Sequence, residues 1–292
     1  MRTFFAYVTG LVFLAVSWQA NAQDQQFSAL FYNVENYFDY KDDTLQRDEE
    51  YLPESMRRWD RYKFYEKRNK IAKVLIASGK WDVPSVIGLA EVENRHAVES
   101  LVYDSPLNNL NYKFIHKESP DRRGIDVALL YKPEAFEPLD THFYQVNFPF
   151  APEKTTRDIL HATGRVGEKD TLHVFVNHWP SRWGGQVESE PKRIAAARTL
   201  RKAIDGLQDS LPHAKILIMG DLNDYPDNKS LKQVLRARKP AKNPRPGKLY
   251  NITWPAHEQS NTGSHKYKGE WGMLDQVIVS GALLQKQASL ST

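Results

Sequence analysis

Four hydrophobic segments of this chain each end in a short polar cluster, and this repeated pattern constrains the fold more than any other feature of the sequence. The segments cover residues 30–32, 87–90, 174–177 and 216–220, and they are followed by Asn33, Glu91, His178 and Asp221. Short apolar runs of this kind are typical of buried β-strands. Because clefts in α/β folds usually form at the carboxyl ends of strands, we expect these polar side chains to meet at one edge.

The rest of the chain predicts one mixed α/β domain. Strands are predicted at residues 27–33, 85–89, 112–116, 126–131, 159–166, 171–177, 215–219 and 274–279, and helices at 62–77, 96–103 and 191–206. Pro191 and Gly206 mark the expected start and end of the third helix. No internal repeat or low-complexity linker divides the chain. We therefore expect mixed sheets packed face to face, with helices outside.

Composition excludes several kinds of site. With 41% hydrophobic residues in 292, the chain can bury a full core. It has no Cys, which excludes thiolate catalysis, zinc–thiolate sites and a disulfide framework. The net charge of +4 is too small to indicate nucleic-acid binding by itself. Two basic segments, residues 57–73 and 239–248, either face a polyanion or form a solvated helix face and a surface loop.

The N-terminus has the pattern of a cleaved signal peptide. Arg2 precedes an apolar run over residues 4–16, and Ala20-Asn21-Ala22 supplies a small-residue cleavage pattern before Gln23. The apolar run is short for a membrane span. We therefore expect residues 1–22 to be removed, and a domain of residues 23–292, without a membrane span, to be exported to the periplasm or secreted.

Oxygen donors dominate the polar clusters. Asn33, Glu91, Asp221 and Asn223 carry the hard ligands preferred by Mg²⁺ or Mn²⁺, with Ca²⁺ as an alternative. Such a cation neutralises phosphate charge and orients an attacking water. Each residue taken singly has a structural alternative as a turn or cap residue, and a lone His is usually structural.

Six segments in a fixed order carry a resemblance to a known family. They are residues 31–36 (FYNVEN), 88–94 (GLAEVEN), 124–131 (GIDVALLY), 176–182 (VNHWPSR), 220–224 (GDLND) and 274–279 (LDQVIV). Together they resemble the endonuclease/exonuclease/phosphatase family, which includes deoxyribonuclease-like nucleases, sphingomyelinases and inositol-polyphosphate phosphatases. The resemblance implies a deoxyribonuclease-I-like four-layer α/β/β/α sandwich, in which two mixed β-sheets are flanked by helices.

The resemblance also implies roles for individual residues. Asn33, Glu91 and Asp221 would belong to a metal site, with Glu91 as the main ligand. His178 would contact the phosphate and transfer a proton, while Asp221 and Asn223 would bind or orient the nucleophile. Asp275 would orient a second His.

Side chains beside these motifs are candidates for substrate contacts. Arg123 and Arg182 could bind phosphate oxygens as forked donors, although an Arg is more often solvated at the surface. Trp179, Trp183 and Trp271 could stack on a base or line a pocket, with core packing as the alternative.

The C-terminal segment departs from the family pattern. Members end in a further strand and a Ser-Asp-His turn whose His partners the carboxylate matching Asp275, but no His or Asp follows Asp275 in this sequence. We therefore expect the domain to lack that strand and turn, which places the activity of this exact chain in question.

The sequence supports one leading function and two alternatives. A secreted, metal-dependent endonuclease or phosphodiesterase acting on a phosphoester substrate, nucleic acid among the candidates, is the leading hypothesis. A phosphomonoesterase or lipid phosphodiesterase would use the same site. A non-catalytic binding protein is the alternative of another class, and no protein partner is indicated.

Overall fold

The computed structural model describes residues 13–15, 27–79, 82–259 and 261–285. Its strands are β1 (Phe13–Ala15), β2 (Ser28–Tyr37), β3 (Val86–Val92), β4 (Lys113–His116), β5 (Asp126–Tyr131), β6 (Glu137–Tyr144), β7 (Ile159–Val166), β8 (Asp170–His178), β9 (Lys215–Asp221), β10 (Ala237–Arg238), β11 (Leu249–Asn251), β12 (His265–Tyr267), β13 (Glu270–Gly272) and β14 (Asp275–Ser280). Its α-helices are α1 (Arg61–Ser78), α2 (Arg95–Tyr103), α3 (Gln186–Ser210), α4 (Trp254–His257) and α5 (Gly281–Leu284). Glu49–Tyr51 and Pro106–Leu110 form 3₁₀ turns, and Ser230–Leu235 forms a short π-helix.

The strands form two large mixed sheets and one hairpin. The first sheet has the order β1-β2-β3-β5-β4, and the second has the order β10-β11-β14-β9-β8-β7-β6. The pairs β2–β3, β8–β9 and β10–β11 are parallel, whereas the other neighbours are antiparallel. Strands β12 and β13 form a separate antiparallel hairpin.

Three hydrophobic cores join these sheets and helices into four layers. One core lies between the sheets and contains Phe31, Leu129, Val176 and Met219. A second core packs α1 and α2 on the first sheet, and a third packs α3 on the second sheet. This confirms the predicted α/β/β/α sandwich, because each sheet buries both faces and each helix buries one.

Side-chain caps begin the two helices of the first sheet. The Asp60 carboxylate accepts a hydrogen bond from the backbone N–H of Lys63 at the start of α1. The Asn94 side chain accepts one from Ala97 at the start of α2. Each cap satisfies a donor that the helix leaves unpaired. Asn94 lies three residues after Glu91, so this cap also fixes the chain that leaves the site.

The predicted bounds of the third helix were wrong. Helix α3 begins at Gln186, and Pro191 lies inside it rather than at its start. The helix continues past Gly206 to Ser210. A proline this close to the helix start removes a single intrahelical bond, and contacts of the first turns compensate: Arg193 donates to the Gln186 carbonyl oxygen and to the Ser189 hydroxyl.

Most of the predicted signal peptide lies outside the described residues. Within it, only Phe13–Ala15 is described, as strand β1 paired antiparallel with Ser28, Ala29 and Leu30. In the described part of the chain, none of the helices is both long and apolar enough to cross a membrane.

Candidate active site

The polar residues that end the strands line one cleft at the rim of the sandwich. The cleft has a volume of about 2170 Å³, which includes space open to solvent. Its walls include the six residues assigned to catalysis or metal binding from the sequence: Asn33, Glu91, His178, Asp221, Asn223 and Asp275. The structure therefore brings all six into one cavity.

Three of these residues lie side by side on adjacent strands of the second sheet. In the parallel pair β8–β9, His178 lies opposite Asp221. In the antiparallel pair β9–β14, Asp221 lies opposite Asp275. Side chains at directly opposite positions share one face of the sheet and are close neighbours. The register therefore sets an imidazole and two carboxylates in a row, with Asp221 in the middle.

Glu91 comes from the first sheet and lies at an irregularity in its strand. The pairing of β3 with β5 shifts in register between Ala90 and Val92, and Glu91 has a φ of 63°. A non-glycine residue in the left-handed region costs about 1–2 kcal/mol, so its contacts must hold it there. Glu91 Oε1 accepts a hydrogen bond from Asn33 Nδ2 at 3.2 Å, and Oε2 accepts one from the Asn36 backbone N–H at 2.8 Å.

Asn33 connects the acidic residues of the two sheets. Its Nδ2 donates to Glu91 Oε1 and also to Asp221 Oδ2, which lies 3.1 Å away. Its Oδ1 accepts a hydrogen bond from the Glu35 backbone N–H at 2.9 Å. His178 completes the contact between sheets, because its Nε2 lies 3.7 Å from Glu91 Oε1. The site is thus assembled from both sheets at their shared edge.

The sequence model of the endonuclease/exonuclease/phosphatase family matches residues 28–291, nearly the whole chain. The chain belongs to this family. Members of the endonuclease/exonuclease/phosphatase family hydrolyse phosphoester bonds, which gives the general class of reaction. All six segments that suggested the resemblance lie within the matched residues.

Solved structures share the family fold over most of the chain. The human Nocturnin catalytic domain with bound sulfate has a TM-score of 0.58 at 14% identity, covering 93% of this chain and 85% of that one. A humanized D. rerio TDP2 has a TM-score of 0.56 at 14% identity, with 87% and 83% covered. The Bacteroides thetaiotaomicron mannosyl-6-phosphatase Bt3783 has a TM-score of 0.51 at 14% identity, with 74% and 77% covered. A search of curated proteins finds no match to the sequence.

The cleft concentrates negative charge. Burial raises the pKa of Asp221, and the charge of Glu91 raises it further. Burial also raises the pKa of Asp275 well above its usual range, with an additional contribution from Asp221. Carboxylates so close together disfavour each other's ionised forms unless a cation lies between them. This electrostatic arrangement fits a bound cation.

Enzymes of this family generally depend on a divalent metal, and the donors present fit a hard cation with few protein ligands. Glu91 and Asp221 would hold it through carboxylate oxygens. Among the residues that the structure describes, no group of three or more His, Asp or Glu is arranged to bind a metal by itself. Mg²⁺ typically uses one or two carboxylates with waters and substrate phosphates, whereas Ca²⁺ takes six to eight oxygen ligands. Both ions bind carboxylate oxygens, which Glu91 and Asp221 supply.

The orientation of the Asn33 amide differs from the one that its predicted role as a metal ligand requires. It faces both carboxylates with its nitrogen, and its oxygen is engaged by Glu35. To serve as an oxygen ligand, the amide would have to rotate by about half a turn. In this structure Asn33 holds the carboxylates of Glu91 and Asp221 in place.

His178 is a buried imidazole. Burial lowers its pKa well below the usual range, and the positive charges of Arg157 and Arg123 lower it further. Its Nδ1 is buried and has no hydrogen-bond partner among the described residues. A neutral imidazole carries one N–H, so His178 can donate a single hydrogen bond to a phosphate oxygen.

Arg157, which was not predicted from the sequence, holds the strand end that carries His178. Its guanidinium donates to the carbonyl oxygens of His178 and Trp179, and to Asp121 Oδ2 at 3.0 Å. Both Arg157 and Asp121 are buried. They lie 36 residues apart, and neither falls in a motif, so no signal in the sequence connects them.

The two arginines proposed as phosphate contacts differ in their surroundings. Arg123 lines the cleft with a side chain that is 48% exposed. Arg182 also lines the cleft, but its guanidinium donates to the Asn223 carbonyl oxygen and to Asn228, and it stacks over Tyr225. Arg182 therefore holds the loop that carries Asn223, and Arg123 is the better candidate for phosphate.

Asn223 is fixed by the strands beside it. Its backbone N–H donates to Asp221 Oδ1 at 2.9 Å, and its Nδ2 donates to the Trp179 carbonyl oxygen at 3.0 Å. Its φ of 50° lies in the left-handed region, which Asn tolerates better than most residues. Asn223 therefore binds one oxygen of the Asp221 carboxylate, Oδ1, while Asn33 binds the other, Oδ2.

Aromatic residues differ in their access to the cleft. Trp179 is buried and donates to Asn177, as the core alternative predicted. Trp183 is 87% exposed and lines the cleft. Tyr225 and His265 also line the cleft, although neither lies in one of the six motif segments.

Proposed function

We propose that this protein is an exported, metal-dependent phosphodiesterase that cleaves nucleic acid. The observation that carries the proposal is the row of His178, Asp221 and Asp275 facing Glu91 across the two sheets. It combines acid–base groups with a hard cation site in one open cleft, which is what hydrolysis of a phosphodiester requires.

In the proposed mechanism, Asp221 acts as the general base. Asn33 and Asn223 hold its carboxylate in position to accept a proton from the attacking water. His178 donates its single N–H to a non-bridging phosphate oxygen, and Arg123 pairs with the phosphate charge. Water attacks the phosphorus in line with the leaving oxygen and gives a proton to Asp221. The bond between phosphorus and the leaving oxygen breaks, and that oxygen takes a proton from solvent, so no covalent enzyme intermediate forms. A divalent metal held by Glu91 and Asp221 would supply charge neutralisation at the phosphate.

Turnover of bis-p-nitrophenyl phosphate tests this proposal. With Mg²⁺ or Mn²⁺, the protein should release p-nitrophenol, and Glu91→Ala and Asp221→Ala should each lose most of the activity. Asp209→Ala, at an exposed position of α3, is the matched control and should keep it. A folded wild-type protein that binds metal but shows no metal-dependent turnover would favour the non-catalytic alternative.

A phosphomonoesterase is the second candidate, because the mannosyl-6-phosphatase of B. thetaiotaomicron shares this fold at a TM-score of 0.51. A panel of a sugar phosphate, an inositol phosphate, sphingomyelin and a DNA oligonucleotide distinguishes the candidates. Cleavage of a monoester with the oligonucleotide untouched would replace the nuclease proposal.

Export is the part of the proposal that rests on sequence alone. The apolar run and the Ala20-Asn21-Ala22 pattern support removal of residues 1–22. N-terminal sequencing of the protein recovered from periplasm and medium tests it, and Gln23 is the expected first residue. Recovery of intact Met1 only, in the cytoplasm, would contradict export.

A further inference from the structure

A second groove opens beside the catalytic cleft. We call it the Trp183 groove, and its lining includes Arg122, Lys154, Thr155, Thr156, Trp183 and Lys192. Its volume is about 1120 Å³, including space open to solvent. Arg123, Ser181 and Trp183 line both the groove and the cleft. A ligand bound in the cleft can therefore continue into the groove.

The groove carries positive charge that the described residues leave uncompensated. Lys154 and Lys192 form no ion pair among these residues, and Arg122 donates only to the Glu153 carbonyl oxygen. The one acidic side chain in the described lining is Asp121, which is buried against Arg157. Such a surface favours an anionic ligand.

The basic residues of α1, unlike those of the Trp183 groove, already have partners for their charged groups. They line another groove that also meets the cleft, but their ammonium groups are already engaged. Lys70 pairs with Glu66 at 2.8 Å, Lys63 donates to the Arg57 carbonyl oxygen, and Lys67 donates to the Glu35 carbonyl oxygen. The Trp183 groove is thus the better site for a second anionic group.

Two further features point to a specific ligand. Trp183 is 87% exposed, which is unusual for so large an apolar ring, and it lies at the junction of groove and cleft. Thr156, which is 3% exposed, has a hydroxyl oxygen without a hydrogen-bond partner in the described structure. An exposed ring offers a stacking surface for an unpaired base, and the cations and hydroxyl suit phosphate oxygens.

We propose that the Trp183 groove binds the nucleotide adjacent to the scissile phosphate of a single-stranded nucleic acid. Its base stacks on Trp183, and its phosphate lies against Lys154 and Lys192. The inference rests on the proposed phosphodiesterase function and adds a substrate class to it. Single-stranded nucleic acid is favoured over a duplex because only unpaired bases expose a face for stacking.

Binding without cleavage gives a test that does not depend on turnover. Fluorescence anisotropy of a labelled oligothymidylate, measured with the full chain in chelator, reports the Kd. Trp183→Ala should raise the Kd at least about fivefold, whereas Trp183→Phe should keep most of the affinity, because Phe also stacks. Lys154→Gln combined with Lys192→Gln should weaken binding and reduce its dependence on salt concentration.

Two further variants test whether the oligonucleotide binds in the Trp183 groove. Lys169→Gln removes an exposed charge from the β7–β8 turn, at the other end of β8 from His178, and should leave the Kd unchanged. Lys63→Gln combined with Lys70→Gln tests the α1 groove. Weaker binding from this α1 pair, with no effect of the Lys154 and Lys192 changes, would overturn the proposal.

Turnover of two substrates, an oligonucleotide and bis-p-nitrophenyl phosphate, distinguishes failure of this inference from failure of the proposed function. The Lys154 and Lys192 double variant should lose kcat/KM on the oligonucleotide, mainly through KM, and keep it on bis-p-nitrophenyl phosphate, which has no adjacent nucleotide. Equal loss on both substrates would show a structural effect and contradict the groove. Failure of the wild-type protein on both substrates would instead contradict the proposed function, while the anisotropy result would still decide the groove.

Discussion

Asp221 and Asp275 lie directly opposite each other on the antiparallel strands β9 and β14, where both line the cleft at the rim of the sandwich. Burial and the neighbouring charge raise the pKa of Asp275 well above its usual value. Two facing carboxylates that both need to ionise at neutral pH destabilise the fold in the absence of a cation.

Asp275→Asn should therefore stabilise the metal-free protein at pH 8. An acid whose pKa is raised by folding binds more protons folded than unfolded, so its destabilising effect grows as the pH rises above 3.8. The effect grows by at most about 1.4 kcal/mol for each pH unit. Thermal unfolding in chelator at pH 8 and pH 4 should show a gain from the Asn variant at pH 8 that shrinks at pH 4. An equal gain at both pH values would contradict the charge argument.

Metal binding should stabilise the wild-type protein through Glu91. Saturation at one hundred times the Kd adds about 2.7 kcal/mol to the free energy of unfolding. Addition of Mg²⁺ or Mn²⁺ should raise the melting temperature, and chelator should reverse this increase and abolish activity. Glu91→Gln should remove the increase, whereas Glu188→Gln, at an exposed position of α3, should retain it. An increase that survives Glu91→Gln would place the metal elsewhere.

Arg157→Met should destabilise the fold by about 3–5 kcal/mol, because it leaves Asp121 buried without its cation. Adding Asp121→Leu should recover much of that stability. Activity should stay low in both variants, since the carbonyl oxygens of His178 and Trp179 lose their donor. Chemical denaturation and bis-p-nitrophenyl phosphate turnover measure the two effects. Recovery of full activity in the double variant would show that Arg157 does not position His178.

Gly220→Ala should damage both stability and activity. A Cβ at this position would lie 2.2 Å from the Asn177 carbonyl oxygen, which is backbone and cannot move aside. Strands β8 and β9 would have to separate, at a cost of about 3 kcal/mol, and His178 would shift from Asp221. Gly206→Ala is the matched control variant, because no heavy atom lies within 4 Å of the added Cβ. It should stabilise α3 by roughly 0.5–1 kcal/mol.

A buried histidine pair on the second sheet should limit stability in acid. His161 Nε2 lies 3.2 Å from His173 Nδ1, and the His161 ring stacks on Phe175. Burial lowers the pKa of His161 to about 3 from the ordinary value of 6.5. Between these values the unfolded chain binds the extra proton, so stability falls as the pH drops from 6.5 toward 3, by at most about 1.4 kcal/mol per pH unit. His161→Gln should flatten this dependence in denaturation experiments, whereas His213→Gln, at an exposed position, should leave it unchanged.

Strands with a strong apolar pattern were predictable from sequence. The predicted strand at residues 159–166 coincides with β7, and the cores of β3, β8 and β9 were also found. Strand β6 was missed, because half of its residues are exposed and its sequence contains Pro138 and Asp140. Edge strands of this kind lack the buried pattern on which the prediction depends.

The placement of the candidate site residues at strand ends was predictable from the sequence, but their contacts were not. The hydrogen bond from Asn33 to Asp221 joins residues 188 positions apart, and only the packing of the two sheets brings them together. The orientation of the Asn33 amide follows from the Glu35 backbone, which no motif describes. Arg157 donates to backbone carbonyl oxygens, which every residue has, so its role cannot be recognised from the types of its partner residues.

The candidate site takes its residues from both sheets, so its formation depends on the packing of the two sheets against each other. Gly88 of the first sheet packs against Met219 of the second, and this interface holds Glu91 opposite His178 and Asp221. A partly folded species with only one sheet formed would have only one of the two candidate metal-binding carboxylates, Glu91 or Asp221. The candidate site therefore forms only after the two sheets have docked, and a divalent ion that binds the docked form would draw the folding equilibrium toward it.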